Sequence, residues 1–185
     1  YGELASTKLH AEELVRVSGK KGFWTIALRP ALVWGPRDTT HLPRWEAEAR
    51  SGGIRIVGGG KKLLSTTHID NLARAVDLSL QTKVTTGHVY YVVDTELSVS
   101  RDFFTELSAA LHWPPPRRAG PYPWAWLSCR TGLSSLHPGE VIRRGRTSAF
   151  DMSNATRDLG YEPIVTREQG MAELASWYRE QQGTP

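Results

Sequence analysis

The chain has 185 residues, of which 39% are hydrophobic and 23% charged, and its formal net charge is +4. This ordinary globular composition predicts one hydrophobic core and excludes a disordered or membrane-spanning chain. The single cysteine, Cys129, excludes a disulfide framework and a cysteine zinc site. The first residues lack the basic-then-apolar pattern of a signal peptide, so a cytoplasmic location is expected.

The basic residues that exceed the acidic ones gather at Arg117, Arg118, Arg130 and residues 143–146. Such clusters can contact nucleic acid or an anionic membrane surface. These arginines are scattered among prolines and tryptophans, and no known nucleic-acid-binding motif accompanies them. We therefore predict that the chain does not bind nucleic acid.

Apolar residues at spacings of three and four predict a first helix, on which Leu4 and Val15 share one stripe and which Gly19 ends. A strand is predicted over residues 23–28. Because residues 24–28 are mostly large and apolar, we expect this strand to be buried on both faces of a parallel sheet.

Helices and strands continue to alternate after this strand. A helix is predicted from near Pro43 to residue 52, then a short strand over residues 54–57. The next helix is predicted over residues 70–80, with Asp70 or Asn71 as its N-cap. Its buried face is expected to consist of Leu72, Ala75, Val76 and Leu80.

A strand over residues 89–93 and a helix carrying Phe103 and Leu107 follow. Residues 113–123 contain five prolines, which predicts a linker or lid without regular structure. Apolar residues between positions 124 and 136 then predict a helical segment. The last helix is predicted to open with a capping box formed by Thr166 and Gln169.

The most informative motif is Arg-Pro-Ala-Leu-Val-Trp-Gly-Pro at residues 29–36, where an apolar strand runs into a loop. Loops at the carboxyl ends of parallel strands are where open α/β sheets bind ligands. Thr-His-Ile-Asp-Asn-Leu follows at residues 67–72, and Asp-Leu-Gly-Tyr-Glu-Pro at residues 158–163. In this order the motifs resemble the extended short-chain dehydrogenase/reductase superfamily (the NAD-dependent epimerase/dehydratase family), and most of all its 3β-hydroxysteroid dehydrogenase/isomerase branch.

The resemblance implies an α/β fold: the C-terminal part of a Rossmann-like, doubly wound parallel sheet plus a small, mostly helical substrate domain. Residues 1–112 are then expected to belong to the NAD(P)-binding domain, with interleaved substrate-domain segments. Residues 113–185 are expected to form a Pro-rich lid and a helical substrate region. The implied cofactor is NAD or NADP, and the implied reaction is hydride transfer to or from a secondary alcohol.

The sequence contains no glycine-rich turn of the kind that holds a dinucleotide pyrophosphate. Gly-Gly-Gly-Lys-Lys at residues 58–62 lacks the required spacing and is better explained as a tight turn. We therefore expect the chain to be the C-terminal part of a longer enzyme, which binds NAD(P) poorly without its other half.

The resembled superfamily places a tyrosine four residues before a lysine on one helix. This spacing puts both side chains on one face, so the ammonium lowers the tyrosine pKa and the phenolate moves the substrate proton. Lys8, with Glu12 downstream, resembles that lysine. The position four before it is Leu4, which cannot transfer a proton, and Tyr1 could take this role only if the intervening residues loop outward. Lys8 and Tyr1 are the predicted catalytic pair, and Lys8 is also predicted to bind the cofactor ribose.

The resemblance places Pro30, Ala31 and Val33 beside the nicotinamide. It also implies four substrate contacts, at Arg37, His41, Thr67 and His68. The alternatives are a solvated loop for Arg37 and His41, and a plain strand end for His68. The six histidines show no metal-ligand spacing, so no metal is predicted.

Aromatic residues at positions 113–126 lie in the part of the chain that closes over the substrate in the resembled family. They favour a lipophilic, steroid- or sterol-like substrate, or peripheral contact with a membrane, and core packing is the alternative. A nucleotide-sugar epimerase or dehydratase and an inactive NAD(P)-sensing or interaction module remain open. The resemblance also implies pairing into a homodimer through the helix that carries Lys8.

Overall fold

The computed structural model describes residues 2–82, 86–133, 136 and 138–183, with side chains from residue 6 onward. Tyr1 therefore lies outside the described residues. The helices are α1 (Gly2–Ser18), α2 (Leu42–Arg50), α3 (Ile69–Gln81), α4 (Ser100–Ala110), α5 (Tyr122–Arg130), α6 (Pro138–Gly145), α7 (Ser153–Leu159) and α8 (Arg167–Gln181). None of the described helices combines the length and the apolar composition needed to cross a bilayer.

The strands are β1 (Ile26–Pro30), β2 (Leu32–Trp34), β3 (Arg55–Ile56), β4 (Leu63–Leu64), β5 (Thr66–His68), β6 (His88–Val92), β7 (Ser98–Val99) and β8 (Arg117–Arg118). Three pairs are parallel: β1 with β6, β2 with β5, and β3 with β8. The fourth pair, β4 with β7, is antiparallel. Helices alternating with parallel strands confirm the predicted α/β class.

Three clusters of buried side chains hold these elements together. The largest joins Trp34 and Trp45 to Phe103 and to Leu174 of α8. The second packs α7 and Tyr161 against β6. The third is small and gathers Val57, Ala125, Leu136 and Val141. Because the first two clusters join residues from both sides of position 112, packing does not separate residues 113–185 as one unit, and the predicted domain division stays a prediction.

The expectation that residues 24–28 form a strand buried on both faces is wrong. The strand runs from Ile26 to Pro30, four of its residues are only half buried and Pro30 is exposed. Trp24 is 58% exposed. Large apolar side chains do not reveal how many faces are covered, and β1 pairs only with β6 among the described strands.

The predicted cap and part of the buried face of α3 also need correction. The N-cap is His68 rather than Asp70 or Asn71, because its ring nitrogen accepts a hydrogen bond from the Asp70 amide. Ala75 is fully buried, whereas Val76 is 43% and Leu80 82% exposed. The buried face of α3 is therefore narrower than the spacing of its apolar residues predicts.

The Pro-rich segment 113–123 contains regular structure, contrary to expectation. Residues 117 and 118 form β8, because their backbone extends the parallel ladder of β3 and the Arg117 amide donates to the Ile54 carbonyl. The helical segment predicted after it exists as α5, with only Ala125 buried among its residues.

Two local predictions are confirmed. Thr166 and Gln169 form both hydrogen bonds of the capping box at the start of α8. Residues 57–60 form a tight turn, here called the glycine turn, with positive φ angles at Gly58, Gly59 and Gly60. Glycine adopts this left-handed backbone without a steric penalty.

Candidate cofactor and substrate site

The main functional candidate is a pocket of about 750 Å³ at the carboxyl ends of β2 and β5. Its wall consists of the loop at residues 33–41, the start of α3, and Trp177 of α8. Both strands are parallel and end at the same edge, which is where α/β sheets place their ligand sites. The predicted functional loop and the pocket therefore coincide.

The loop of the pocket is held in shape by Asp38. Its carboxylate accepts hydrogen bonds from the backbone amides of Thr40, His41 and Leu42, at 2.7, 2.9 and 3.0 Å. These amides would otherwise be unpaired at the start of α2. Arg37, just before, has a left-handed backbone with φ of 64°. These hydrogen bonds therefore fix the conformation of the loop where it lines the pocket.

His41 lies in this wall, half buried, with its ring stacked on Trp45 at a centroid distance of 5.5 Å. A guanidinium nitrogen of Arg143 lies 3.3 Å from the ring nitrogens. Burial, and then the charge of Arg143, lower the pKa of His41. The neutral ring is thus favoured and offers a nitrogen that can hydrogen-bond to a ligand. Arg37 and His41, both predicted substrate contacts, line the pocket.

His68 is fully buried behind the pocket wall and meets Trp34 edge to face at 4.9 Å. Its Nδ1 accepts from the Asp70 amide at 3.4 Å, and its Nε2 has no hydrogen-bond partner among the described residues. The nearest carboxylate to that nitrogen, from Glu173 of α8, is 3.9 Å away. Its neighbours Trp34 and Asp70 line the pocket.

His68, Asp70 and Glu173 bring ligand-type atoms within 4.8 Å of one another, a cluster that sequence spacing could not show. Glu173 belongs to a helix more than a hundred residues further along the chain. The Asp70 amide at Nδ1 favours a ring with its proton on Nε2, so that neither nitrogen has a lone pair left for a metal ion. This chemistry favours a polar contact with Glu173, and the absence of a metal stays a prediction.

Thr67 is fully buried, and its hydroxyl is used twice within the protein. It donates to the Val92 carbonyl at 2.7 Å and accepts from the Ala31 amide at 3.0 Å. These contacts link β5 to the end of β6 and to Ala31, the residue that follows β1. They favour a structural role for Thr67 over the predicted substrate contact, because the hydroxyl does not reach the pocket surface.

Asp94 organises the same strand ends and was missed by the sequence analysis. Its carboxylate accepts four hydrogen bonds, from Trp34 Nε1, Thr66 Oγ1, the His68 amide and Asn71 Nδ2, at 2.7 to 2.9 Å. The available signal was its place directly after the strand that ends at Val92. An acidic residue at that point faces the carboxyl edge of the sheet.

Lys8 and Pro30 line a second depression, of about 700 Å³, between α1 and β1. Lys8 is exposed. The helix is fixed on the strand by Glu12 and Arg29, whose two hydrogen bonds measure 2.6 and 2.7 Å. The structure thus places Lys8 beside Pro30, and it places Val33 in the larger pocket.

The parallel strand pairs and the pocket at their carboxyl edge define the chain as part of a Rossmann-like α/β protein. The chain belongs to the 3-beta hydroxysteroid dehydrogenase/isomerase family, whose sequence profile matches residues 2–119. The predicted family resemblance is therefore confirmed. The chain spans little more than half the length of the curated relatives it matches.

Two relatives show the range of this family. The chain is 32% identical to a 2-alkyl-3-oxoalkanoate reductase of Stenotrophomonas maltophilia, with 94% of the chain and 59% of that protein aligned. It is 29% identical to a 3-beta-hydroxysteroid dehydrogenase of Mycolicibacterium neoaurum, with 93% and 51% aligned. The first relative is named as a reductase and the second as a dehydrogenase.

Solved structures show the same fold. A dTDP-glucose 4,6-dehydratase of Bacillus anthracis in complex with NAD superposes with a TM-score of 0.71 at 18% identity, over 98% of this chain and 53% of that one. A UDP-glucose 4-epimerase of Thermotoga maritima with UDP-glucose gives 0.67 at 22% identity, over 97% and 52%. At these identities the likeness establishes the fold alone.

Proposed function

We propose that the chain is part of an NAD(P)-dependent oxidoreductase that acts on the CH-OH group of a lipophilic, steroid- or sterol-like secondary alcohol. The observation that carries the proposal is the pocket at the carboxyl ends of β2 and β5, which is built on the family motif at residues 29–36. The names of the reductase and dehydrogenase relatives support the same reaction class.

The pocket suits a ring system with a polar substituent. Trp34, Ile69 and Trp177 give it apolar walls, and Arg37 and His41 give it polar groups at the loop. Apolar walls with a few placed polar groups are typical of small-molecule sites. Arg37 and His41 are the proposed substrate contacts.

The proposed cofactor residues are Lys8, Pro30, Ala31 and Val33. The exposed Lys8 fits this role because it lines the depression that also contains Pro30. It can donate hydrogen bonds to ribose hydroxyls and, by its charge, favour the ionised form of a nearby phenol. Bound NAD(P) would supply the hydride acceptor or donor. Tyr1 could transfer the proton only if residues 2–6 looped outward. These residues belong to helix α1, so Tyr1 is not proposed as the proton-transfer group.

Nucleotide-sugar epimerisation or dehydration is a second candidate. The loop of the pocket presents Arg37, which offers a cation to a substrate phosphate, whereas Arg143 beside His41 is paired with Glu140. A third candidate is an inactive NAD(P)-sensing or interaction module, favoured by Leu4 at the position where the family has its tyrosine.

Turnover of candidate substrates by the complete protein, including any residues before Tyr1, tests these functions. We expect reduction of NAD or NADP with a steroid secondary alcohol, and no turnover of UDP-glucose. Lys8→Met should lower kcat/KM by about a hundredfold or more, since positioning and acid-base contributions are of this size. Lys21→Met, at an exposed lysine outside both pockets, is the control.

Each alternative has its own outcome in this experiment. Turnover of UDP-glucose but not of steroid alcohols supports the epimerase. No turnover in the wild type and new activity in Leu4→Tyr supports the inactive module. Steroid turnover that Lys8→Met leaves unchanged contradicts the role of Lys8 without contradicting the reaction class.

A further inference from the structure

Helix α5 presents large apolar side chains to solvent. Trp124 is 70% exposed, Leu127 48% and Trp126 36%, and Leu133 just beyond the helix is 85% exposed. The opposite face is covered, since Ala125 is buried in the small third cluster. The outward face is therefore an apolar surface on a helix that the rest of the fold already anchors.

The same region is exclusively cationic among its charged side chains. Between Glu106 and Glu140 the sequence contains no acidic residue. Arg117 and Arg118 are exposed just before α5, and Arg130 at its end lies over the Trp126 ring at 4.9 Å. A cation over an indole keeps both groups together at the surface.

A basic depression of about 460 Å³ adjoins the start of α5. Lys61, Arg101 and Arg118 line it, together with Tyr122 and backbone of the glycine turn. Arg101 is held there by a hydrogen bond to the Gly59 carbonyl. The depression thus gathers three cations at the N-terminal end of α5, the helix that exposes Trp124 and Leu127.

We propose that α5 docks on the surface of an anionic lipid bilayer. Tryptophan and leucine side chains partition into the bilayer interface, while lysine and arginine are attracted to anionic headgroups. Trp124 and Leu127 enter the interface, and Arg118 and Lys61, which line the same depression, face the lipid phosphates. The nine residues of α5 are too few to cross the hydrocarbon core, so the contact is peripheral.

Charge complementarity selects the membrane over two other occupants. A second copy of the chain would bring another set of arginines against the first. A neutral apolar partner would leave the cations of the depression without a counter-charge. An anionic bilayer satisfies the apolar face and the cations at once, and it is also where a lipophilic substrate would be dissolved.

Co-sedimentation of the full chain with lipid vesicles tests the proposal. We expect binding to phosphatidylcholine vesicles that contain phosphatidylglycerol, and weak binding to phosphatidylcholine alone. High salt should reduce binding to the anionic vesicles, because it screens attraction to the headgroups. The double variant Lys61→Glu/Arg118→Glu should lose most of the preference for anionic lipid.

Apolar insertion is tested with Trp124→Ser/Leu127→Ser, which should weaken binding by about tenfold or more through lost interfacial partitioning. Both side chains are exposed, so the fold should be unaffected, which circular dichroism checks. The matched control is Trp24→Ser, at another exposed tryptophan on a different face of the protein.

Three results would overturn the proposal: no binding to anionic vesicles, an equal loss of binding in the Trp24→Ser control, or self-association of the chain that Trp124→Ser/Leu127→Ser abolishes. The last outcome, seen by light scattering, would identify a second copy as the occupant. All of these measurements are independent of turnover and so distinguish failure of this proposal from failure of the proposed function.

Discussion

Asn71 Nδ2 donates to Asp94 Oδ1 at 2.8 Å, and this hydrogen bond ties the first turn of α3 to the residues after β6. Asn71 also fixes the chain before α8, because its Oδ1 accepts from the amides of Ile164 and Val165. One fully buried amide therefore connects three segments behind the pocket. The pocket owes its shape to this connection, since Asp94 also binds Trp34.

Asn71→Asp should destabilise the protein by about 3 kcal/mol at neutral pH, because a buried donor is lost and two carboxylates face each other. The introduced carboxyl would have a raised pKa in the folded state. Its penalty is therefore smallest below the ordinary carboxyl pKa and grows as pH rises through it. Urea unfolding over a pH series measures this dependence.

Asn71→Ala is the control for that pH dependence. It also loses the hydrogen bonds and leaves a space, but it adds no titrating group. Its destabilisation relative to wild type should therefore change less across the carboxyl range than that of Asn71→Asp. A pH-independent loss in Asn71→Asp would contradict the close pairing with Asp94.

Much of the fold could be predicted from local patterns, and the site only in part. The capping box of Thr166 and the turn at Gly58–Gly60 depend on neighbouring residues, which the sequence shows directly. The contact between His68 and Glu173 depends on how α8 lies against β5, which no local pattern encodes. Likewise, an apolar stripe indicates a helix at Trp124 but not which of its faces is covered.

Glu12→Gln should cost about 1 kcal/mol at neutral pH, because it removes one charge of the bidentate pair that holds α1 on β1. The hydrogen bond from Arg29 lowers the pKa of Glu12. The stability gained is therefore present above the unfolded carboxyl pKa of about 4 and is lost as pH falls through the lower folded value.

Glu13→Gln is the matched control for this pair. Glu13 faces Arg16 on the exposed side of the same helix, at 3.4 Å, and surface pairs of this kind contribute little. Urea unfolding at neutral pH and at about pH 3 should show a larger difference between wild type and Glu12→Gln at the higher pH. Equal effects of the two substitutions would show that the α1–β1 contact does not depend on Glu12.

Gly170→Ala should destabilise the protein by about 2 kcal/mol through overpacking. A Cβ at this position would lie 2.7 Å from Trp34 Cη2 and 2.8 Å from His68 Cδ2, and both rings are buried. Alanine is a better helix former than glycine by about 1 kcal/mol, so helix propensity alone would predict an increase in stability. Thermal unfolding decides between them.

Gly160→Ala provides the comparison for Gly170→Ala. Gly160 ends α7 with a φ of 65°, and no atom lies within 4 Å of where its Cβ would be. Its substitution should cost about 1 kcal/mol through backbone strain without changing the environment of Trp34. Near-ultraviolet circular dichroism should therefore change only in Gly170→Ala.

His41 should titrate below its ordinary range, and Arg143→Met should raise its pKa without restoring the ordinary value. Burial is the larger cause of the lowered pKa and stays in the variant, whereas the Arg143 charge is removed. Arg44→Met removes a weaker charge effect and should raise the pKa less. NMR titration of the His41 ring measures this pKa in the wild type and in both variants.

Because the folded pKa of His41 is lowered, protonation of its ring opposes folding, and stability is lost as pH falls below the unfolded value of about 6.5. His41→Gln should remove this part of the acid sensitivity, and an unchanged stability profile would contradict the burial of His41 in the pocket wall.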